Sequence, residues 1–154
     1  TKPNTKIKNI FTNVLKGHIA VATTDLMKDN IGKKIDVRAR KFLKKNNLDY
    51  EHGTGHGVGF FLNVHEGPQS ISKINKVRIR EGMILSNEPG YYKKNSFGIR
   101  IENLTLAPIE KDLINYDLLN LSEINYLFKY HLNVYSKISK YLNSNEKKWL
   151  ASFI

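Results

Sequence analysis

The chain has 154 residues and a mass of 17.7 kDa, of which 40% are hydrophobic and 10% aromatic, enough to bury the core of one ordinary domain and too apolar for a disordered segment. It contains no cysteine, which excludes a disulfide scaffold, a thiolate zinc site and a cysteine nucleophile, so any metal must be held by histidine nitrogen and carboxylate oxygen. Lys and Arg number 25 against 14 Asp and Glu, a formal charge of +11. The lysines lie in scattered doublets (Lys33-Lys34, Lys44-Lys45, Lys93-Lys94, Lys147-Lys148) with no basic run interleaved with aromatics, so neither a nucleic acid nor a membrane partner is expected.

The sequence opens on Thr1-Lys2-Pro3 without an initiator methionine or an apolar leader, and reads as a piece of something longer. No apolar run approaches the roughly 18 residues of a membrane span, and a soluble, cytoplasmic protein is expected. Ile7, Ile10, Phe11, Val14, Leu15, Ile19 and Ala20 recur at three- and four-residue spacing and predict a helix over 5–23. Gly32 marks a break. A second helix follows from Ile35 to about Asn46, with Asp36 able to cap it and Ile35, Val37, Ala39, Phe42 and Leu43 turned inward. The pair Asn46-Asn47 stops it.

From His52 to Gly59 a glycine stands at every other position, too many for a helix interior at about 1 kcal/mol each, so this stretch is read as extended. Met83 to Ser86 and Gly98 to Leu106 read as strands, joined by a loop over Tyr91 to Ser96. Beyond Pro108 the helical pattern returns, with Ser122 capping a run to about Leu142 and a short last helix around Trp149. The division is into 1–107 and a helical extension over 108–154.

Strand parity places His52, Thr54 and His56 on one face, where they read either as ligands or proton carriers or as a hydrogen-bonded structural feature. Parity also puts Arg100 and Glu102 opposite Ile99 and Ile101, which equally fits an edge strand with a solvated face. His65 lies in a turn-rich stretch where a lone histidine is usually just exposed. Glu88 ends a strand, where a functional carboxylate or a solvated turn acid would sit. Taken together, the candidates His52, His56, His65, Glu88, Arg100 and Glu102 cluster between positions 52 and 102, with three of the chain's five histidines among them. One imidazole with two carboxylates suits manganese, zinc or cobalt.

The strings His52-Gly-Thr-Gly-His56-Gly-Val-Gly, Asn63-Val-His65-Glu-Gly-Pro68, Glu88-Pro-Gly-Tyr-Tyr92 and Gly98-Ile-Arg100-Ile-Glu102-Asn103 resemble the aminopeptidase P family, the Xaa-Pro aminopeptidases among the pita-bread metallopeptidases of family M24. The resemblance covers essentially the whole chain, and the tail is similar to the C-terminal extension of bacterial members. It implies an α+β chain corresponding to the C-terminal half of a pita-bread fold, a mixed curved sheet flanked by helices with a C-terminal helical extension. It also implies two divalent ions, manganese first with zinc or cobalt as alternatives, and a metal-activated water that releases the N-terminal residue from peptides with proline second. By resemblance His56, Glu88 and Glu102 are metal ligands, with Glu102 bridging. His52 and His65 hold the substrate and the developing oxyanion, Glu88 also relays the proton, and Arg100 stands beside the bridging glutamate. His18 and His131 match no catalytic role.

The family's two aspartate ligands belong to a segment upstream of the position matching Thr1, and Asp25, Asp29 and Asp36 do not replace them. These 154 residues are therefore expected to bind at most one metal weakly, to be inactive alone, and to associate with a separate N-terminal chain or as a homo-oligomer. A prolidase-type dipeptidase and a non-catalytic peptide-binding remnant are the alternatives.

Overall fold

The computed structural model describes residues 3–59, 63–80, 82–103 and 109–154. Helix α1 spans Thr5–Ala22, as its periodicity predicts, and Asn4 Oδ1 accepts from the Ile7 N–H at 2.9 Å to satisfy its first turn. Helix α2 spans Gly32–Lys44, so Gly32 begins the helix and does not interrupt it. Asn47, at φ 55°, takes the left-handed conformation that ends a helix and is tolerated by asparagine. The two helices cross where Gly17 has no side chain, since a Cβ there would collide with the Ala39 carbonyl.

Two expectations for α2 fail for one reason. The residue before the helix is Ile31, with no side-chain cap, and Asp36 lies within the helix, where it bonds Arg40. The buried stripe is Ile35, Asp36, Ala39, Arg40 and Leu43, so an ion pair occupies core-facing positions and Val37 is left 61% exposed.

The chain divides into two compact units, Asn13–Leu104 and the combination of Thr1–Thr12 with Thr105–Ile154. In the first, β1 (Gly55–Gly57) pairs antiparallel with β2 (Glu66–Ile71), His56 opposite Ser70. On its other edge the same segment bonds the stretch predicted as a strand at 83–86. Val58 N–H donates to Ile84 O, Ser86 N–H to His56 O, and Glu88 N–H to Thr54 O. Gly55 is required at this crossing, because a Cβ would overlap the Ser86 carbonyl.

Strands β3 (Gly90–Lys93) and β4 (Phe97–Arg100) form an antiparallel hairpin whose turn includes Asn95 at φ 55°. Tyr91–Lys93 are thus strand and not loop. The pairing extends through Ile101 N–H to Pro89 O and Asn103 N–H to Asn87 O. Ile101 is buried while Arg100 and Glu102 are exposed, as parity predicts. Residues 104–106 of the predicted strand lie outside the described residues.

In the second unit Asn115 is tied to α1, its N–H donating to Thr12 Oγ1 at 2.8 Å and its amide to Asn9 Oδ1 at 2.7 Å. Helix α3 (Leu121–Ile138) is capped by Asn120, whose side chain and that of Glu123 form a reciprocal capping box, in place of the expected Ser122. It gives way to a 3₁₀ turn over Ser139–Tyr141 before Leu142. Helix α4 (Ser144–Ala151) has the same kind of box from Asn143 and Glu146. Ile114, Leu127, Val134, Leu150 and Phe153 make the core of this unit. His131 is buried among them, and its Nε2 accepts from the Ile109 N–H at 3.1 Å.

His18 is buried in α1, and burial pushes its pKa from 6.5 down to about 4 against the weaker opposing pull of the Ile101 and Asn87 backbone. The folded state therefore prefers the neutral ring. The associated stability is fully present above pH 6.5 and is lost as pH falls toward 4, by on the order of 3 kcal/mol. The thermal midpoint should drop between pH 6.5 and 5, where carboxylates remain ionised, and His18→Gln should flatten that slope. An unchanged slope in the variant would contradict this.

Candidate active site

A cleft of about 280 Å³ in the Asn13–Leu104 unit is lined by His52, Gly53, Gly55, His56, His65, Glu88 and Arg100. His56 comes from β1. Its Nδ1 lies 2.8 Å from Gly57 O, which can only accept, so Nδ1 carries a proton and Nε2 is turned outward. Nε2 stands 3.3 Å from Glu88 Oε1. The spacing suits a proton or a cation shared between the two atoms, and a ring whose other nitrogen donates to a carbonyl has the orientation common among metal-binding histidines.

Glu88 is buried and held from both ends. Ser86 Oγ donates to Oε1 at 2.9 Å, and Arg100 is 3.4 Å from Oε2. The Ser86 backbone also fixes β1, so one residue registers both the imidazole and the carboxylate. Burial works against the Arg100 charge, but the Tyr92 hydrogen bond and the carboxylates of Glu88 and Glu102 outweigh it, and its pKa is raised.

His52 reaches the cleft from the turn before β1. Its Nδ1 is 2.7 Å from Gly53 O and its Nε2 is 3.1 Å from the Tyr92 hydroxyl, which accepts from Arg100 Nε at 2.8 Å. Arg100, Tyr92 and His52 thus form a chain of donors, and both nitrogens of His52 are already partnered. Tyr92, although not part of the cleft lining, is a partner of both His52 and Arg100 that the sequence reading missed. The sequence carries no signal for it, since Tyr91 to Ser96 reads as a loop and only the β3–β4 hairpin brings the phenol to His52. His65 is exposed and lays its ring on His56, centroids 4.0 Å apart at 34°.

Two expectations are met only in part. Thr54 does not share the face of His52 and His56, because its hydroxyl is buried against Asp36 and Tyr50. Glu102 does not line the cleft, and no three His, Asp or Glu side chains among the described residues converge closely enough to hold an ion. His56 and Glu88 bring one imidazole nitrogen and one carboxylate oxygen together, donor types that suit a hard or borderline divalent ion but fall short of a cage.

Residues 1–107 match the model of metallopeptidase family M24 and residues 99–152 that of the C-terminal region of these peptidases; the chain belongs to metallopeptidase family M24. Among its relatives, a probable Xaa-Pro aminopeptidase P of Laccaria bicolor is 40% identical over 96% of this chain and 27% of its own length. Aminopeptidase P2 of Arabidopsis thaliana is 42% identical over 97% of this chain and 25% of its own. An X-prolyl aminopeptidase from Caenorhabditis elegans, described as a cytosolic enzyme with a di-nuclear active site, superimposes with a TM-score of 0.90 at 37% identity over 99% of this chain and 29% of its own. The chain thus spans between a quarter and three-tenths of the length of these relatives, and its α+β architecture is that of the pita-bread enzymes. A fungal and a plant protein match nearly the whole chain, so the likeness of the tail is not confined to bacterial members. No helix among the described residues is long and apolar enough to cross a membrane.

Proposed function

We propose that the protein carrying this sequence is a metal-dependent Xaa-Pro aminopeptidase that releases the N-terminal residue from peptides with proline second. The observation that carries this reading is His56 Nε2 facing Glu88 Oε1 at 3.3 Å in a cleft shared with Arg100. The names of the relatives support the substrate class. His56 and Glu88 would hold a divalent ion, manganese with zinc or cobalt as alternatives, and Glu102, which lies outside the cleft lining, would be the further carboxylate ligand. When bound, such ions supply Lewis acidity that polarises a carbonyl and makes water nucleophilic near neutral pH.

The chain's own residues handle the protons. Glu88, with Ser86 on one oxygen and Arg100 near the other, takes the proton of the attacking water and passes it to the proline nitrogen, a tertiary amide that must be protonated to leave. His65 donates to the oxygen of the scissile carbonyl. His52, whose Nδ1 donates to Gly53 O, offers Nε2 as an acceptor and would hold the substrate by taking one of its N–H or O–H groups in place of the Tyr92 hydroxyl. Tyr92→Phe frees that nitrogen and removes the acceptor of Arg100 Nε, and the loss of these bonds should lower kcat/KM about tenfold. A variant at wild-type rate would exclude a part for the phenol.

The whole protein, loaded with manganese, should cleave Xaa-Pro-Yaa peptides and leave Xaa-Ala-Yaa peptides intact. The 154 residues alone should bind no more than one ion weakly in titration calorimetry and cleave nothing, the remaining ligands coming from a separate N-terminal chain or further residues of the same polypeptide. Robust manganese-dependent cleavage by the 154 residues alone would overturn that. Prolidase from Pyrococcus horikoshii is 36% identical over 65% of this chain with a TM-score of 0.57, and cleavage confined to Xaa-Pro dipeptides would favour a prolidase.

A further inference from the structure

Arg40 is the largest fully buried side chain among the described residues, and it lies outside the reacting groups. Its Nε donates to Asp36 Oδ2 at 2.7 Å, one terminal nitrogen to Asp49 Oδ1 at 2.7 Å and Tyr50 O at 2.6 Å, and the other to His52 O at 2.7 Å. The guanidinium lies 3.8 Å from the Tyr50 ring centroid. Asp36 Oδ1 accepts from Thr54 Oγ1 at 2.6 Å, and Thr54 in turn meets the Tyr50 hydroxyl. Residues 50, 52 and 54 are therefore all tied to α2 through one buried pair.

Stability alone does not call for this arrangement, since a buried ion pair is commonly no better than apolar residues of similar volume. What the pair fixes is direction. His52 is followed by Gly53 and, two residues on, by Gly55, and glycine backbone has wide conformational freedom. A planar fork with five donors can hold two carbonyls and two carboxylates at once, which a lysine ammonium cannot.

We propose that Arg40 is a positioning residue that aims the His52 imidazole into the cleft by holding the carbonyls of Tyr50 and His52 against α2. The proposal rests on the reading of the cleft as a peptidase site, but its first test does not need activity. In the full-length protein labelled with ¹⁵N-histidine, Arg40→Lys should shift or broaden the His52 ring signals and leave those of His131 in place. Asp49→Asn, a change at a partly exposed partner, should move the same signals by less, and it decides the matter if Arg40→Lys does not fold.

In the second test, Arg40→Lys should lower kcat on an Xaa-Pro-Yaa peptide by about 10²-fold, the scale of a misplacement of 1 Å, with little change in KM. Combined with His52→Ala it should cost nothing further. Unmoved His52 signals in the folded variants overturn the proposal, as do effects of Arg40→Lys and His52→Ala that multiply. If the wild-type protein cleaves no Xaa-Pro peptide, the peptidase reading falls and the ring signals alone decide the role of Arg40.

Discussion

Glu88→Gln is expected to lower kcat/KM for Xaa-Pro peptides by at least ~10³-fold, because general acid–base groups contribute roughly 10²–10⁴-fold and the same carboxylate is proposed to hold metal. The amide keeps the volume of the side chain, and its oxygen can still accept from Ser86 Oγ, which lies 2.9 Å from Oε1 in the structure. It cannot accept a proton from water, and it cannot balance Arg100, which lies 3.4 Å from the other oxygen. Arg100 is 43% exposed at its side chain, so solvent takes up much of the lost pairing and the thermal midpoint should move little. Steady-state kinetics with metal analysis of the purified variant checks both halves. A variant within tenfold of wild type, carrying its full metal, would remove Glu88 from the reaction.

Arg40→Met should destabilise the protein by about 3–5 kcal/mol, the usual result of leaving one member of a buried ion pair behind. Asp36 is 1% exposed and would keep only the Thr54 hydroxyl. Replacing both members, as Asp36→Leu with Arg40→Met, removes the stranded charge. The recovery should nevertheless be incomplete, because the carbonyls of Tyr50 and His52 then lack their donor, and an unsatisfied buried polar group costs roughly 1–3 kcal/mol. Denaturant unfolding of the two variants and of Asp36→Leu would measure the three terms. A single variant within 1 kcal/mol of wild type would mean that the guanidinium is not the hub of this network.

The helices were legible because their stability follows from a repeat that sequence displays. The apolar spacing of Ile10, Val14, Leu15 and Ile19 marks α1 to within a residue of its ends. The polar parts of the frame were less so. Asn120 and Ser122 are equivalent capping residues by type, and only the reciprocal bond with Glu123 chooses between them. Strand β2 went unread since Glu66-Gly67-Pro68-Gln69-Ser70 has neither alternation nor β-branched residues, and its pairing with β1 is what makes it a strand.

At the site, parity holds for Arg100 and Glu102 and fails for Thr54, because regular pairing of β1 with β2 begins only at Gly55. The meeting of His56 with Glu88 depends on a ladder between segments some thirty residues apart, which no local pattern encodes. The likeness to aminopeptidase P brought those residues together on paper, whereas the part of Tyr92 emerges only from the hairpin that folds it over His52.

The segment from Thr54 to Val58 is hydrogen-bonded on both edges, to β2 on one side and to the stretch ending at Glu88 on the other. Its amides should be among the slowest of their unit to exchange with deuterated solvent, while those of the 94–96 turn exchange early. Fraying at the hairpin would then release Tyr92 well before His56 parts from Glu88, so the reacting pair would outlast the parts that tune it.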